Sequence, residues 1–387
     1  MVSPLTGPRA VLAVVTLFVY NGLVLGVYMA AIPILREKFG LDTWHLVALF
    51  LVTGVSAVAA MQVSGRLADR FGARRVCLGF IFPMMVAAVG YALVGTYPLL
   101  LATGVFLGAG NGGIDVAMNA LGVQVEGGRL AGGKRPIMSF FHGTWALGSF
   151  AGSLAISMVG TVVGLSANTT LMVVGLSAAV VGVGIWILAW IITPETVRVD
   201  HERGGKKTPI PAAAWLMGLM AIGFALGEGT GADWSGAHVR DVAGVDPRIA
   251  TWAVTVLMAY IALIRLFADR LVAKFGRRPV VRAGAILAAC GYAITAVFTP
   301  LPLLLVGWAL VGLGTGVIAP QVYATAGHLA GGRGLAVVVT FGYTTFLAGP
   351  AFIGGIIHLV GIHRAMAIPA LLLLGVSALV GVAMKDR

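Results

Sequence analysis

Charge is what this chain has least of. Of 387 residues, 14 are acidic and 26 are Lys or Arg, 10% in all. Soluble domains carry roughly 25% charged residues. With 59% of the chain hydrophobic, no soluble fold of this length hides so much apolar surface. The composition excludes a soluble globular protein and points to an all-α membrane protein. A span takes about 20 apolar residues, which leaves room for about a dozen. Cysteine is also scarce. Cys77 and Cys290 both lie in apolar runs, which excludes a disulfide framework. No Walker loop, metal-spaced His/Cys cluster or nucleophile elbow is present. The sequence therefore predicts no enzyme, no ATP-driven pump, no cofactor and no metal.

What the chain does have is a net charge of +12. Nucleic acid is not the expected partner, because the cations fall in short loops between apolar runs. Arg9 precedes an apolar run that reaches Leu35. That run is too long for a signal-peptide core and reads as a first span. Charged, Gly and Pro clusters then mark twelve helices, near 10–35, 45–65, 75–95, 98–126, 136–162, 168–193, 212–237, 249–268, 279–299, 302–328, 335–360 and 364–384. The longest polar stretch, 194–211, predicts a linker between an N-terminal six-helix bundle (1–193) and a C-terminal one (212–387). Five of the 26 cations, Arg36, Lys38, Arg240, Arg248 and Arg364, fall on one side; the other 21, Arg265 among them, fall on the opposite side. That bias predicts both termini and the linker in the cytoplasm.

The two halves echo each other. "RLADRFGARR" at 66–75 aligns with "RLVAKFGRRP" at 270–279, an offset of 204 residues. The same offset lays Gly108, Gly110 and Gly112 on Gly312, Gly314 and Gly316. A duplicated six-span unit is the mark of a secondary transporter with its site at the repeat interface. "GRLADRFGARR" at 65–75 resembles the loop signature of the major facilitator superfamily, through Gly65, Asp69, Arg70, Gly72, Arg74 and Arg75. The second copy departs from it, with Asp269 in place of Gly65 and Ala273 in place of Asp69. The resemblance implies twelve transmembrane helices in two pseudo-symmetric bundles, working by alternating access. Physically the loop reads as a gate latch. Gly65 and Gly72 allow close approach and a sharp turn. Asp69 is expected to cap a neighbouring helix N-terminus, and Arg70 to pair with Glu126. A plain positive-inside anchor is the other reading, but anchoring needs neither the acid nor the glycines.

"GAGNGGIDVAMN", 108–119, places an acid inside an apolar run. Asn111, Asp115 and Asn119 are spaced i, i+4, i+8 and form one polar stripe. A bare acid at the bilayer centre costs on the order of 2.5–3.5 kcal/mol, so the stripe is expected to face the bundle interior or a watery cavity. Desolvation there favours the protonated form, which suits Asp115 to carrying a proton. Its alternative is a structural acid paired with His142. The stretch also resembles helix 4 of the fucose-permease-like branch, with an acid and an Asn four residues on; that implies a proton site at Asp115. The branch has an acid on helix 1, where this chain offers Tyr20, Asn21 and Tyr28.

Other candidates are weaker. His142 and Trp145 share a helix face and suit proton relay and ligand stacking, or packing. "GEGTGADWSG", 227–236, reads as a loosened outer end of helix 7, with Glu228 beyond the midplane as a second proton site; an interfacial cap is the alternative. On helix 10, Ala319 stands at the repeat position of Asp115, and Gln321 and Tyr323 read as substrate-binding or packing residues. Together the candidates are Asp115, Glu228 and His142 for protons, and Asn21, Tyr28, Asn111, Asn119, Trp145, Gln321 and Tyr323 for substrate. The expected function is proton-coupled uptake of a small polar or sugar-like solute. Proton-driven efflux of amphipathic compounds is the same-class rival; a sensor or lipid scramblase is the rival of another class. The expected partners are a small-molecule solute, protons and membrane lipids, and the expected state is a monomer in the cytoplasmic membrane.

Overall fold

The computed structural model of the chain describes residues 7–131, 137–192 and 210–384. Most of the expected linker (194–209) lies outside them, as do Lys134, Arg135, Arg198, Arg203, Lys206, Lys207, Lys385 and Arg387. Among the described residues no strand occurs, and twelve helices are long and apolar enough to cross a membrane. We number them α1 (Pro8–Phe39), α2 (Thr43–Phe71), α3 (Ala73–Leu93), α4 (Tyr97–Gly127), α5 (Met138–Val162), α6 (Ala167–Ile191), α7 (Ala212–Ala243), α8 (Pro247–Phe275), α9 (Arg277–Val297), α10 (Leu301–Leu329), α11 (Arg333–Val360) and α12 (Ile362–Ala383). All-helical spans are what lipid demands, since each backbone N–H and C=O must find its partner within the segment.

The chain divides into two compact units, one of residues 1–40 and 48–203, the other of 41–47 and 204–387. In the first, α1 packs on α5 and α3 packs on α4 and α6. The α1–α5 contact is set by glycine. A Cβ on Gly22 or Gly26 would run into the α5 backbone at Trp145 and Ser149, and one on Gly148 or Gly152 into the α1 backbone at Val19 and Leu23. Small residues let helix backbones meet, which replaces the hydrophobic drive that lipid cannot supply. In the second unit, α7 packs on the α10–α11 segment and on α12, and α9 packs on α10.

The repeat holds in three dimensions. On α4, a Cβ at Gly108 would strike Thr53, one at Gly112 would strike Ala57, and one at Gly110 would strike Met84. On α10, Gly312 meets Leu257, Gly316 meets Ile261 and Gly314 meets Ala288. Adding 204 to 53, 57 and 84 gives 257, 261 and 288, so the offset relates the partners as well as the glycines. Turns repeat too. Gly72 and Gly276 have φ of 85° and 82°, and Gly40 and Gly244 have φ of 59° and 62°, a region open to glycine. Asp42 accepts from the His45 amide at 2.9 Å to cap α2, and Asp246 accepts from the Arg248 amide at 2.8 Å to cap α8.

Two expectations need correction. The glycines of "GEGTGADWSG" do not loosen α7, which stays helical to Ala243. They are notches for neighbouring side chains: Gly227 receives Leu373, Gly229 receives Phe346 and Gly231 receives Leu257. Helices α10 and α11 are not parted by "GGRG" either; the backbone is helical from Leu301 to Val360.

Candidate functional site

In the first unit, three helices meet at one amide. Asn21 on α1 is fully buried. Its Oδ1 accepts from Trp145 Nε1 of α5 at 2.7 Å, and its Nδ2 donates to Asn111 Oδ1 of α4 at 3.0 Å. A buried amide left unpaired costs roughly 1–3 kcal/mol, and here both its oxygen and its nitrogen are used. The glycine contacts of α1 with α5 bring Asn21 within reach of the Trp145 indole. One turn along α4, Asp115 is half-buried. Its Oδ1 accepts from Asn119 Nδ2 at 3.1 Å, and the same nitrogen donates to the Asp115 carbonyl at 2.8 Å. Along the polar stripe of α4, Asn111 reaches α1 and Asn119 holds the carboxylate.

Other candidates of this unit go elsewhere. His142 is exposed, one turn into α5, with its ring edge-on to Phe18 at 5.3 Å. Asn119 supplies a hydrogen bond to the Asp115 carboxylate. The indole N–H of Trp145 is engaged by Asn21, so its polar end is an internal tie. Tyr28 is buried with its ring 5.2 Å from that of Tyr91.

In the second unit, Glu228 sits at the middle of α7, sixteen residues from Ala212 and fifteen from Ala243. This corrects its expected place near the outer end. It forms an ion pair with Arg265 of α8: Nη2 to Oε1 is 2.9 Å, with Arg265 11% and Glu228 16% exposed. Arg265 Nε also donates to the Gly316 carbonyl of α10 at 3.4 Å. The charge count had put Arg265 in a loop. It lies ten residues before the end of α8 at Phe275, about 15 Å along the axis. Its signal in the sequence was the one used for Asp115, a charge within the apolar run "AYIALIRLF". Tyr323 of α10 packs edge-on to Phe224 at 5.8 Å. Gln321 is buried, and a two-residue spacing points it away from Tyr323. Asp233 lines a small cavity of about 10 Å³ with Thr230, Trp234, Thr345 and Pro350, room for one water.

At the predicted latch, Asp69 and Arg70 are exposed, with Arg70 over the Phe71 ring at 5.1 Å. Gly72 makes the sharp turn between α2 and α3. Arg74 donates to the Trp190 carbonyl of α6 and lies 5.5 Å from that residue's ring centre. Arg75 is exposed. Gly65 has nothing within 4 Å of where a Cβ would sit, so it is not a close-approach glycine among the described residues. Glu126 Oε2 accepts from the Met138 amide at 3.1 Å. That contact caps the start of α5.

Twelve apolar helices built as a six-helix unit and its repeat define a multi-pass membrane protein of the secondary-transporter class. The family model for the Major Facilitator Superfamily matches residues 213–387. An uncharacterized transporter of Sinorhizobium fredii is 30% identical over 341 residues, 87% of this chain and 88% of that one. An uncharacterized MFS-type transporter of Yersinia pestis is 30% identical over 366 residues, 93% and 92% of the two chains. Membrane protein MosC of Rhizobium meliloti is 26% identical over 92% of this chain and 85% of its own. The chain belongs to the major facilitator superfamily. Its fold is also that of the nucleoside transporter NupG (TM-score 0.73, 13% identity, 96% of this chain and 98% of that one). The human organic anion transporter MFSD10 shares it as well (TM-score 0.68, 15% identity, 97% and 100%).

Proposed function

We propose that this transporter couples proton movement to uptake of a small polar or sugar-like solute by alternating access, with Asp115 as the proton carrier. The observation that carries this reading is the setting of Asp115. Its carboxylate lies within an apolar membrane span, half-buried, and accepts from Asn119 Nδ2 at 3.1 Å. Ionisable groups inside membrane spans mark ion pathways, which suits Asp115 to carrying a proton. Protonation removes the charge that holds water in the cavity, and with it part of the cost of closing the transporter around its cargo. Asn21, Asn111 and Trp145 supply a polar frame one turn away, and Glu228 is the second proton-active group. The charge bias supports a cytoplasmic membrane location with both termini and the linker inside. Asp69, Arg70, Gly72, Arg74 and Arg75 would act as the inner latch, and a monomer suffices for the mechanism.

The test needs no known substrate. Parent and Asp115→Asn are purified and screened against a solute library by thermal shift at about pH 6 and pH 8, since a ligand that binds the folded state raises its apparent stability. The reading expects a hit whose shift depends on pH in the parent and not in the variant. The same pH response in both proteins would sink the proton role of Asp115.

A further inference from the structure

Glu228 enters the proton reading as a second group, but its partner Arg265 has no part in it. Their ion pair lies within the membrane spans, away from helix ends, unlike the pairs at Asp42, Asp241 and Asp246, which sit at helix termini. A buried ion pair is weak support for stability, because apolar residues of similar volume do as well or better. Intramembrane ionisable groups instead mark substrate and ion pathways. The question is which partner stays and which leaves.

The geometry answers it. Arg265 donates to Glu228 Oε1 at 2.9 Å and to the Gly316 carbonyl at 3.4 Å. Gly316 is the α10 glycine whose Cβ would strike Ile264, next to Arg265. The guanidinium is therefore tethered to backbone that is itself locked against α8. Glu228 has one polar tie, to Arg265. A guanidinium cannot shed its proton, whereas a carboxylate can gain one. The groups facing Glu228 are few. Arg265 comes from α8. Tyr292 of α9 and Tyr323 of α10 lie within electrostatic reach, and Tyr292 donates its hydroxyl to the Gly227 carbonyl at 2.5 Å. Asp233 follows on α7 itself. The α11 and α12 faces present Phe346 and Leu373 to the adjacent glycines.

We propose that Arg265 is the recognition group for a carboxylate-bearing solute, and that Glu228 holds its place in the empty transporter. The planar fork of Arg265 offers a carboxylate two parallel donors, and the solute takes the position of the Glu228 carboxylate. This deepens the uptake reading and rests on it for direction alone; binding at Arg265 does not depend on Asp115.

The experiment uses probes that differ only in charge on a common polyol frame: glucuronate and gluconate as anions, glucose as neutral, glucosamine as cation. Thermal shifts of the purified full-length protein are recorded at about pH 6 and pH 8. The variants are Glu228→Gln, Arg265→Lys, Asp115→Asn and the double variant Glu228→Gln/Arg265→Gln, which removes both charges of the pair and so guards against simple misfolding. The anions are expected to stabilise the parent. In Glu228→Gln their apparent affinity should rise on the order of tenfold. In the double variant the anion shift should vanish, and Arg265→Lys should restore part of it. Three results overturn the proposal: no anion shift in the parent, an anion shift that survives in the double variant, or stabilisation by glucosamine that is lost in Glu228→Gln. The variant Asp115→Asn separates the two readings. If it keeps the anion shift while its pH-driven flux is unchanged, Asp115 fails and Arg265 stands.

Discussion

Gly22→Ala tests whether packing of α1 on α5 positions the buried polar cluster. The added Cβ would overlap the Trp145 carbonyl oxygen and lie 2.9 Å from the Ser149 nitrogen and 3.0 Å from the Trp145 carbonyl carbon. Backbone atoms cannot rotate away, so the two helices must part by roughly 1 Å to restore van der Waals distances. Overpacking of this kind costs about 1–3 kcal/mol, against a gain of about 1 kcal/mol from replacing a helical glycine by alanine. The shift also pulls Trp145 Nε1 from Asn21 Oδ1, a bond of 2.7 Å, and an orphaned buried acceptor adds about 1–3 kcal/mol. The net cost is about 1–5 kcal/mol, a fall in melting temperature of roughly 2–20 °C for a unit of this size. Gly79→Ala on α3 is the matched control, since nothing lies within 4 Å of its Cβ position; it should melt at or above the parent. Cys77 is a free, buried thiol, so labelling by a thiol-reactive dye in a Cys290→Ser background reports unfolding. If Gly22→Ala melts with the parent, close α1–α5 packing does not support the site and the reasoning is wrong.

Trp145→Phe keeps the ring packing but removes the donor to Asn21; we expect a loss of about 1–3 kcal/mol, read by the same melting assay, and no change if water replaces the indole. Glu126→Gln weakens the charged contact at the start of α5, and should lower stability by about 0.3–1 kcal/mol, an effect that fades in high salt. Asp42 gives a pH prediction. The His45 amide, and secondarily its side chain, hold the Asp42 carboxyl below its usual range. A depressed folded-state value means its stabilising effect is complete above the ordinary carboxylate range and is lost as pH falls through the folded value. The melting difference between parent and Asp42→Asn should therefore be constant near neutrality and close in acid; a difference that grows in acid contradicts the capping role. In reconstituted vesicles, Asp115→Asn should abolish pH-driven flux while the protein still binds solute.

Much of the fold was legible in the sequence because lipid imposes simple rules. Long apolar runs must be helices, and Gly, Pro and charged clusters mark their ends. The 204-residue offset, first seen in one loop and one glycine stripe, extends to turn glycines, helix caps and the partners of α4 and α10. Asp115 announced itself as an acid in an apolar run, and its i, i+4 neighbour Asn119 was readable from helical spacing. The failures share one cause. The glycines of α7 and the run joining α10 to α11 looked like breaks, because local sequence does not say whether a glycine is a hinge or a notch. Only the side chains of Leu373, Phe346 and Leu257 standing against α7 decide that. Arg265 was assigned by counting to a loop, whereas its partner Glu228 is 37 residues away on another helix. Asn21, Asn111 and Trp145, at sequence separations of 90 and 124, meet because glycine lets α1 and α5 touch. Periodicity and composition determine what each helix is. Which polar groups share a space depends on rotations and crossings of helices, set by backbone contacts between residues far apart in the chain.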